Sequence, residues 1–153
     1  MSEIAVVLGS ESDGKYWEES KIYLEYFSLS ADLFFLSAHR TPDKVVAFAA
    51  SARTRGYKII IAAAGMAAHL AGVVAAHTDL PVLGVPLPGG VMDGLDALLS
   101  TVQMPGGVPV ATFAVGTAGM RNACIFAVQL LSLSRPELVD KLQAFRKQGS
   151  KLK

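Results

Sequence analysis

Three short segments of the 153-residue chain combine residue types that handle phosphate and protons. The first, Gly9-Ser10-Glu11-Ser12-Asp13-Gly14-Lys15, lies between an apolar run and a helical pattern. A strand passing into a helix leaves backbone amides unpaired, and small hydroxyls beside them make a seat for phosphate. The spacing approaches a Walker A loop, but Tyr16 stands where that motif needs a hydroxyl for magnesium, which argues against a nucleoside triphosphatase. The competing reading is structural, with Ser12 or Asp13 simply capping the helix.

The second segment, Ser37-Ala38-His39-Arg40-Thr41-Pro42, sets an imidazole beside a guanidinium. Histidine titrates near neutrality and suits proton transfer, while the planar fork of arginine suits phosphate. With an extended backbone, these neighbours would point to opposite sides and reach different parts of one ligand. Alternatively, His39 is structural and Arg40 a solvated surface cation. In the third segment, from Ala62 to Gly72, small residues surround His69, and Gly65 with its neighbours would let a flat ring lie against the backbone. Close helix packing at a subunit contact is the alternative there.

Other residues carry weaker signals. His69 and His77 are eight positions apart with no nearby ligand set beyond Asp79, so no metal site is expected, and His77 reads as structural or exposed. Cys124 lies among Ala123, Ile125 and Phe126 in a helical pattern, as a small core residue would. The glycines and prolines between Gly84 and Pro109 mark shaped loops without chemistry of their own.

The elements that must position these segments follow from apolar runs at 4–8, 31–36, 58–62, 81–85 and 108–115, which read as buried strands. Helical spacing between them indicates βαβ units, hence an α/β three-layer sandwich with a parallel sheet. A first helix is expected over 14–27, burying Trp17, Leu24 and Phe27. In the second, Thr41 caps, Pro42 opens, Asp43 complements the dipole and Gly56 follows the end, with Val45, Ala49 and Ala52 facing the sheet. Two last helices are expected at 117–133 and 136–148, the latter capped by Ser134. Ligands of open α/β sheets bind at the carboxyl ends of the strands, so the loops of interest are 9–14, 37–42, 63–69 and 86–93.

Length fits a single nucleotide-binding catalytic domain over 1–153. A net charge of +1 supplies no field for nucleic acid. One cysteine and no signal-peptide order point to a reducing cytoplasm. The uncharged stretches 59–78 and 97–120 are interrupted by histidine and glycine in one and by Pro105, Gly106, Gly107 and Pro109 in the other, so no membrane span is expected. With 52% hydrophobic and 18% charged residues, some surface is expected to be buried between subunits, giving a homo-oligomer.

Five motifs in order, Gly-Ser-x-Ser-Asp, Ser-Ala-His-Arg-Thr-Pro-Asp, Ala-Ala-His-Leu, Leu-Pro-Val-x-Gly-Val-Pro and Val-Gln-Met-Pro-x-Gly-Val-Pro-Val-Ala-Thr, resemble the N5-carboxyaminoimidazole ribonucleotide mutase family over about 4–131. The resemblance implies a flavodoxin-like fold assembled as a homo-octamer, acting on a small nucleotide. It implies that Ser10, Ser12 and Arg40 hold the phosphate and Asp13 the ribose hydroxyls, while Gly65 is expected to bind substrate. By the same resemblance His39 is acid and base, and His69 lies near the migrating carboxylate, which moves from N5 to ring carbon C4 without metal or cofactor. Met66 stands where glycine is usual, Ala71 where proline is usual, and Ala63 where glycine is frequent. The rival readings are a direct aminoimidazole ribonucleotide carboxylase, in which lysine usually replaces Arg40, and a non-catalytic flavin or phosphate-binding module. The candidate loops hold no aromatic pair to sandwich a flavin ring.

Overall fold

A computed structural model describes residues 2–152; Met1 and Lys153, the two ends of the expected 1–153 domain, lie outside the described residues. Five strands, β1 (Ile4–Leu8), β2 (Ala31–Phe35), β3 (Ile59–Gly65), β4 (Val82–Leu87) and β5 (Ala111–Thr112), form one sheet in the order β2-β1-β3-β4-β5. Every pairing is parallel. This is the flavodoxin-like order, in which the connections change faces between β1 and β3.

Alternation along the central strands divides the core in two. Ile4, Val6 and Leu8 of β1 join Ile59, Ile61 and Ala63 of β3 on one face, while Ala5, Val7, Ile60 and Ala62 line the other. Burying each large aliphatic side chain stabilises the fold by about 1.5–3 kcal/mol relative to exposure. The first face is covered by α1 (Gly14–Glu18), α2 (Ile22–Tyr26), α6 (Thr117–Ser132) and α7 (Pro136–Lys147), through Trp17, Leu24, Met120 and Leu138. The second is covered by α3 (Pro42–Ser51) and α4 (Leu70–Ala76), through Val45, Phe48, Leu70 and Val74, with α5 (Leu95–Val102) beside them. The expected three layers are present.

Several details differ from the sequence reading. The single helix expected over 14–27 is two short helices. Ser20, fully buried, sits at the break, where tighter i→i−3 bonds run from Ser20 N–H to the Trp17 carbonyl (2.9 Å) and from Tyr23 N–H to the Ser20 carbonyl (3.0 Å). Trp17, Leu24 and Phe27 nevertheless face the core as expected. Strand β3 continues to Gly65, beyond the expected end at Ala62, because β4 offers partners up to Leu87. Strand β5 pairs over two residues of the expected eight; Pro109 has no N–H to give a ladder, and 105–108 turn away from the sheet.

Val45, Ala49 and Ala52 face the core as the helical spacing required, and Gly56 takes the left-handed φ of 90° that follows helix α3. Of the two expected caps, Thr41 takes the N-cap position of α3 without a side-chain bond, and Ser134 does not cap α7. Thr41 turns back to Ser37, and the Ser134 hydroxyl donates to the Leu131 carbonyl (3.3 Å) at the end of α6. Cys124 is fully buried in the first core, and burial pushes its thiol up to about 12, which leaves it inert at neutral pH.

Of the two strand glycines, Gly65 and Gly84, the latter is the more closely packed. A Cβ there would lie 2.6 Å from Cγ2 of Thr101 on α5 and 2.7 Å from Cγ1 of Val110. Gly84→Ala therefore overpacks the second core and is expected to cost about 1–3 kcal/mol. Urea unfolding measures it; an unchanged midpoint would mean that α5 moves away freely.

Candidate active site

The carboxyl ends of β1, β2 and β3 lie side by side, and the loops leaving them build the site. Gly9 N–H donates to the Ala63 carbonyl (3.0 Å), and a Cβ at Gly9 would lie 3.3 Å from that of Ala64, so the chain leaving β1 runs in near contact with β3. Ser10, in extended backbone, then caps a 3₁₀ turn over Glu11–Asp13 by accepting the Ser12 N–H at its hydroxyl (3.4 Å). The Ser10 and Ser12 hydroxyls are 3.0 Å apart. Ser10 is thus the cap of this turn, and Asp13 makes no side-chain capping bond. Partial burial pushes the Asp13 carboxyl above the usual carboxylate value, against the Ser10 backbone and the Lys15 charge, which pull it down.

The second loop is a closed turn and not the extended segment that would send His39 and Arg40 to opposite sides. Thr41 N–H donates to the Ser37 carbonyl (2.9 Å), as does the Thr41 hydroxyl (3.1 Å), while Ser37 N–H donates to Thr41 Oγ1 (3.2 Å). The Arg40 N–H adds a bond to the Ser37 hydroxyl (3.2 Å). Locked this way, the turn presents both His39 and Arg40 to one cleft.

Beyond Gly65 the third loop needs a left-handed residue, and Met66 supplies it at φ 56° with its side chain 65% exposed. His69 follows at the entrance to α4, its N–H held by the Ala67 carbonyl (2.8 Å). Its ring meets that of His39: Nε2 of His39 lies 2.8 Å from Nδ1 of His69, with the planes 80° apart.

A cleft of about 370 Å³ is lined by Ser10, Ser12, Asp13, His39, Arg40, Gly65 and His69, so every residue expected at the site reaches one place. The volume lies within the range of small-molecule sites. Sequence reasoning missed the wall supplied by Pro88 and Gly89 after β4, and the bracing role of Ser37. The fourth loop had been marked by position alone. Its shape comes from two carboxylates: Asp93 accepts the Gly89 N–H (3.1 Å) and Asp96 the Val91 N–H (2.9 Å). A Cβ at Gly90 would overlap the Asp96 carboxylate. His77 stands apart, donating from Nδ1 to the Val73 carbonyl (2.9 Å), and Asp79 is paired with Arg53 at 2.8 Å.

Similarity to known proteins gives the chain's family. The AIR carboxylase family model matches residues 3–151. The chain belongs to that family. Curated relatives named N5-carboxyaminoimidazole ribonucleotide mutase include one from Saccharolobus solfataricus, 47% identical over 95% of this chain and 90% of the relative. Another, from Haemophilus influenzae, is 48% identical over 95% of this chain and 88% of the relative. Among solved structures, Treponema denticola PurE superposes with a TM-score of 0.85 over 96% of this chain and 90% of that chain, at 24% identity, which speaks for the fold. This AIR carboxylase family member therefore has the flavodoxin-like architecture expected from its sequence.

Asp13 gives the site a pH-dependent cost. A carboxyl whose folded value is raised binds its proton more readily in the folded state, so its contribution to stability falls as pH rises through the window above 3.8. Asp13→Asn is expected to be more stable than the parent near neutrality, with the gap closing below the usual carboxylate range. Urea unfolding at both pH values checks this; a gap that widens on acidification would contradict the burial argument.

Proposed function

We infer that this chain is an N5-carboxyaminoimidazole ribonucleotide mutase, an isomerase of purine biosynthesis that moves a carboxylate from the exocyclic N5 to ring carbon C4. The observation that carries the reading is the convergence of Ser10, Ser12, Asp13, His39, Arg40, Gly65 and His69 on one cleft. Two relatives bearing that name are 47% and 48% identical along nearly the whole chain.

Chemistry assigns the parts. Arg40 and the paired hydroxyls of Ser10 and Ser12 take the phosphate, which accepts hydrogen bonds at every oxygen. Asp13 takes the ribose hydroxyls, whose donated hydrogen bonds offset the desolvation of its carboxylate. Gly65 and the alanines beside it leave room for the flat imidazole. His39 protonates N5 of the carbamate as CO2 leaves. The CO2 stays in the small-residue pocket beside His69, and the nucleophilic C4 attacks it. His39 then removes the C4 proton, so one imidazole acts as acid and then as base.

The same reading covers the assembly and setting: one domain over 1–153, working in the cytoplasm as a homo-octamer. The exposed apolar band of Val91, Met92, Leu95, Leu99 and Val102 is a surface that subunit contacts would cover. Among the described residues no helix is long and apolar enough to cross a membrane.

Three measurements test the proposal. The pure protein is expected to form 4-carboxyaminoimidazole ribonucleotide from the N5-carboxy substrate and not from aminoimidazole ribonucleotide with low bicarbonate; the reverse preference would make it a direct carboxylase. His39→Asn is expected to keep nucleotide affinity while losing about 10²–10⁴ in turnover, and near-normal turnover removes His39 from the role. Light scattering is expected to give eight times the chain mass, and a monomer refutes the assembly.

A further inference from the structure

The contact between His39 and His69 joins specific atoms, Nε2 of the first and Nδ1 of the second, at 2.8 Å. A contact of that length between ring nitrogens holds one hydrogen, and each neutral ring has one donor and one acceptor nitrogen. If Nε2 of His39 carries the hydrogen, Nδ1 of His69 is bare, and neutral His69 is the Nε2–H form. If Nδ1 of His69 carries it, Nε2 of His39 is bare, and neutral His39 is the Nδ1–H form. The two neutral rings are therefore both Nε2–H or both Nδ1–H. Mixed forms would put two hydrogens, or none, between the facing nitrogens.

His69 also borders a second cleft of about 360 Å³, with Gly72, Val73, Leu99, Ser100, Gln103 and Met104. It is the residue the two clefts share. The other charged side chains lining the first cleft are Asp13 and Arg40.

We propose that His69 is a positioning residue that locks His39 into the matching tautomer and connects it, as a proton relay, to water in the second cleft. The relay rests on the acid–base role inferred for His39; the tautomer rule does not. Starting from the Nδ1–H pair, His39 gives its Nδ1 hydrogen to the substrate nitrogen as the N5–carboxylate bond breaks. Its Nε2 takes the hydrogen from Nδ1 of His69, and Nε2 of His69 takes a proton from water. Both rings finish as Nε2–H. When C4 loses its proton, Nδ1 of His39 accepts it, Nε2 of His39 returns a hydrogen to Nδ1 of His69, and Nε2 of His69 releases a proton to water. Neither ring is left charged, and the two matched tautomers are the states before and after each transfer.

Long-range ¹H–¹⁵N spectra of the full chain with labelled histidine, taken at alkaline pH without substrate, report which nitrogen of each ring carries hydrogen. Matched tautomers are expected, and opposite tautomers on His39 and His69 overturn the proposal. In turnover, His69→Phe and His69→Gln are each expected to lower kcat by about 10- to 100-fold with KM little changed, the scale of losing an orienting partner. Glutamine can occupy the hydrogen bond but cannot pass a proton through, so the proton inventory, bowed in the parent, is expected to become linear in His69→Gln. An unchanged kcat and inventory in that variant refutes the relay. Matched tautomers in a parent protein without mutase turnover would uphold the lock and remove the proposed function instead.

Discussion

The site depends on one constraint, the pairing of β1 with a parallel strand on each side. Leu8 is in register with Phe35 of β2 and with Ala63 of β3. The ladder then runs one bond further on each side, from Leu36 N–H to the Leu8 carbonyl (2.9 Å) and from Gly9 N–H to the Ala63 carbonyl (3.0 Å). Three chain crossings thus end at one height, and their loops have no choice but to meet. Slipping β1 by one residue would turn Ile4, Val6 and Leu8 onto the wrong core, so the hydrophobic pattern that folds the sheet also fixes where the loops begin. The change of face between the helix following β1 and those following β2 and β3 opens the crevice between them.

A common starting line does not aim side chains. That work falls to short polar braces within the first two loops. Ser37 and Thr41 exchange three hydrogen bonds and turn the chain sharply, which carries His39 and Arg40 to the same side. Ser10 organises the first loop with one capping bond. In the third loop no brace replaces backbone strain: Met66 sits at φ 56°, where a residue with a side chain costs on the order of 1–3 kcal/mol. The resembling family usually has glycine there, and the left-handed backbone supplies the physical reason. Holding that conformation is what brings the Ala67–His69 turn around so that His69 reaches the second loop.

The layers and the central strands were legible in the sequence because they rest on local signals. Continuous apolar runs marked β1, β2, β4 and the first part of β3, and Pro42 with Asp43 marked the start of α3. What was not legible depends on partners distant in the chain. Ala63, Ala64 and Gly65 look like loop, since small residues carry no strand preference, and pairing with β4, joined at Ala63 by β1, makes them a strand. Val108 to Val115 looks like a strand by composition, yet pairing requires an N–H that Pro109 lacks. The candidate residues were found by type and loop position. Their mutual geometry was not, because a contact between residues 30 apart, such as His39 with His69, leaves no periodic trace.

The charges in the cleft also constrain how a nucleotide would lie. Asp13 and Arg40 enter from different strands, and Asp13 is the less solvated, as its raised carboxyl value indicates. A phosphate dianion placed against Asp13 would add repulsion to a carboxylate already short of solvent, whereas a hydroxyl there donates the hydrogen bond that water no longer supplies. At Arg40 the order is reversed, since a guanidinium gains most from an oxyanion. The same two side chains therefore favour a ligand with an anionic end and a hydroxylated middle. On the proposed reading this leaves its ring toward Gly65 and the histidine pair, so the ligand's orientation is set by the cost of burying one carboxylate as much as by the attraction of one arginine.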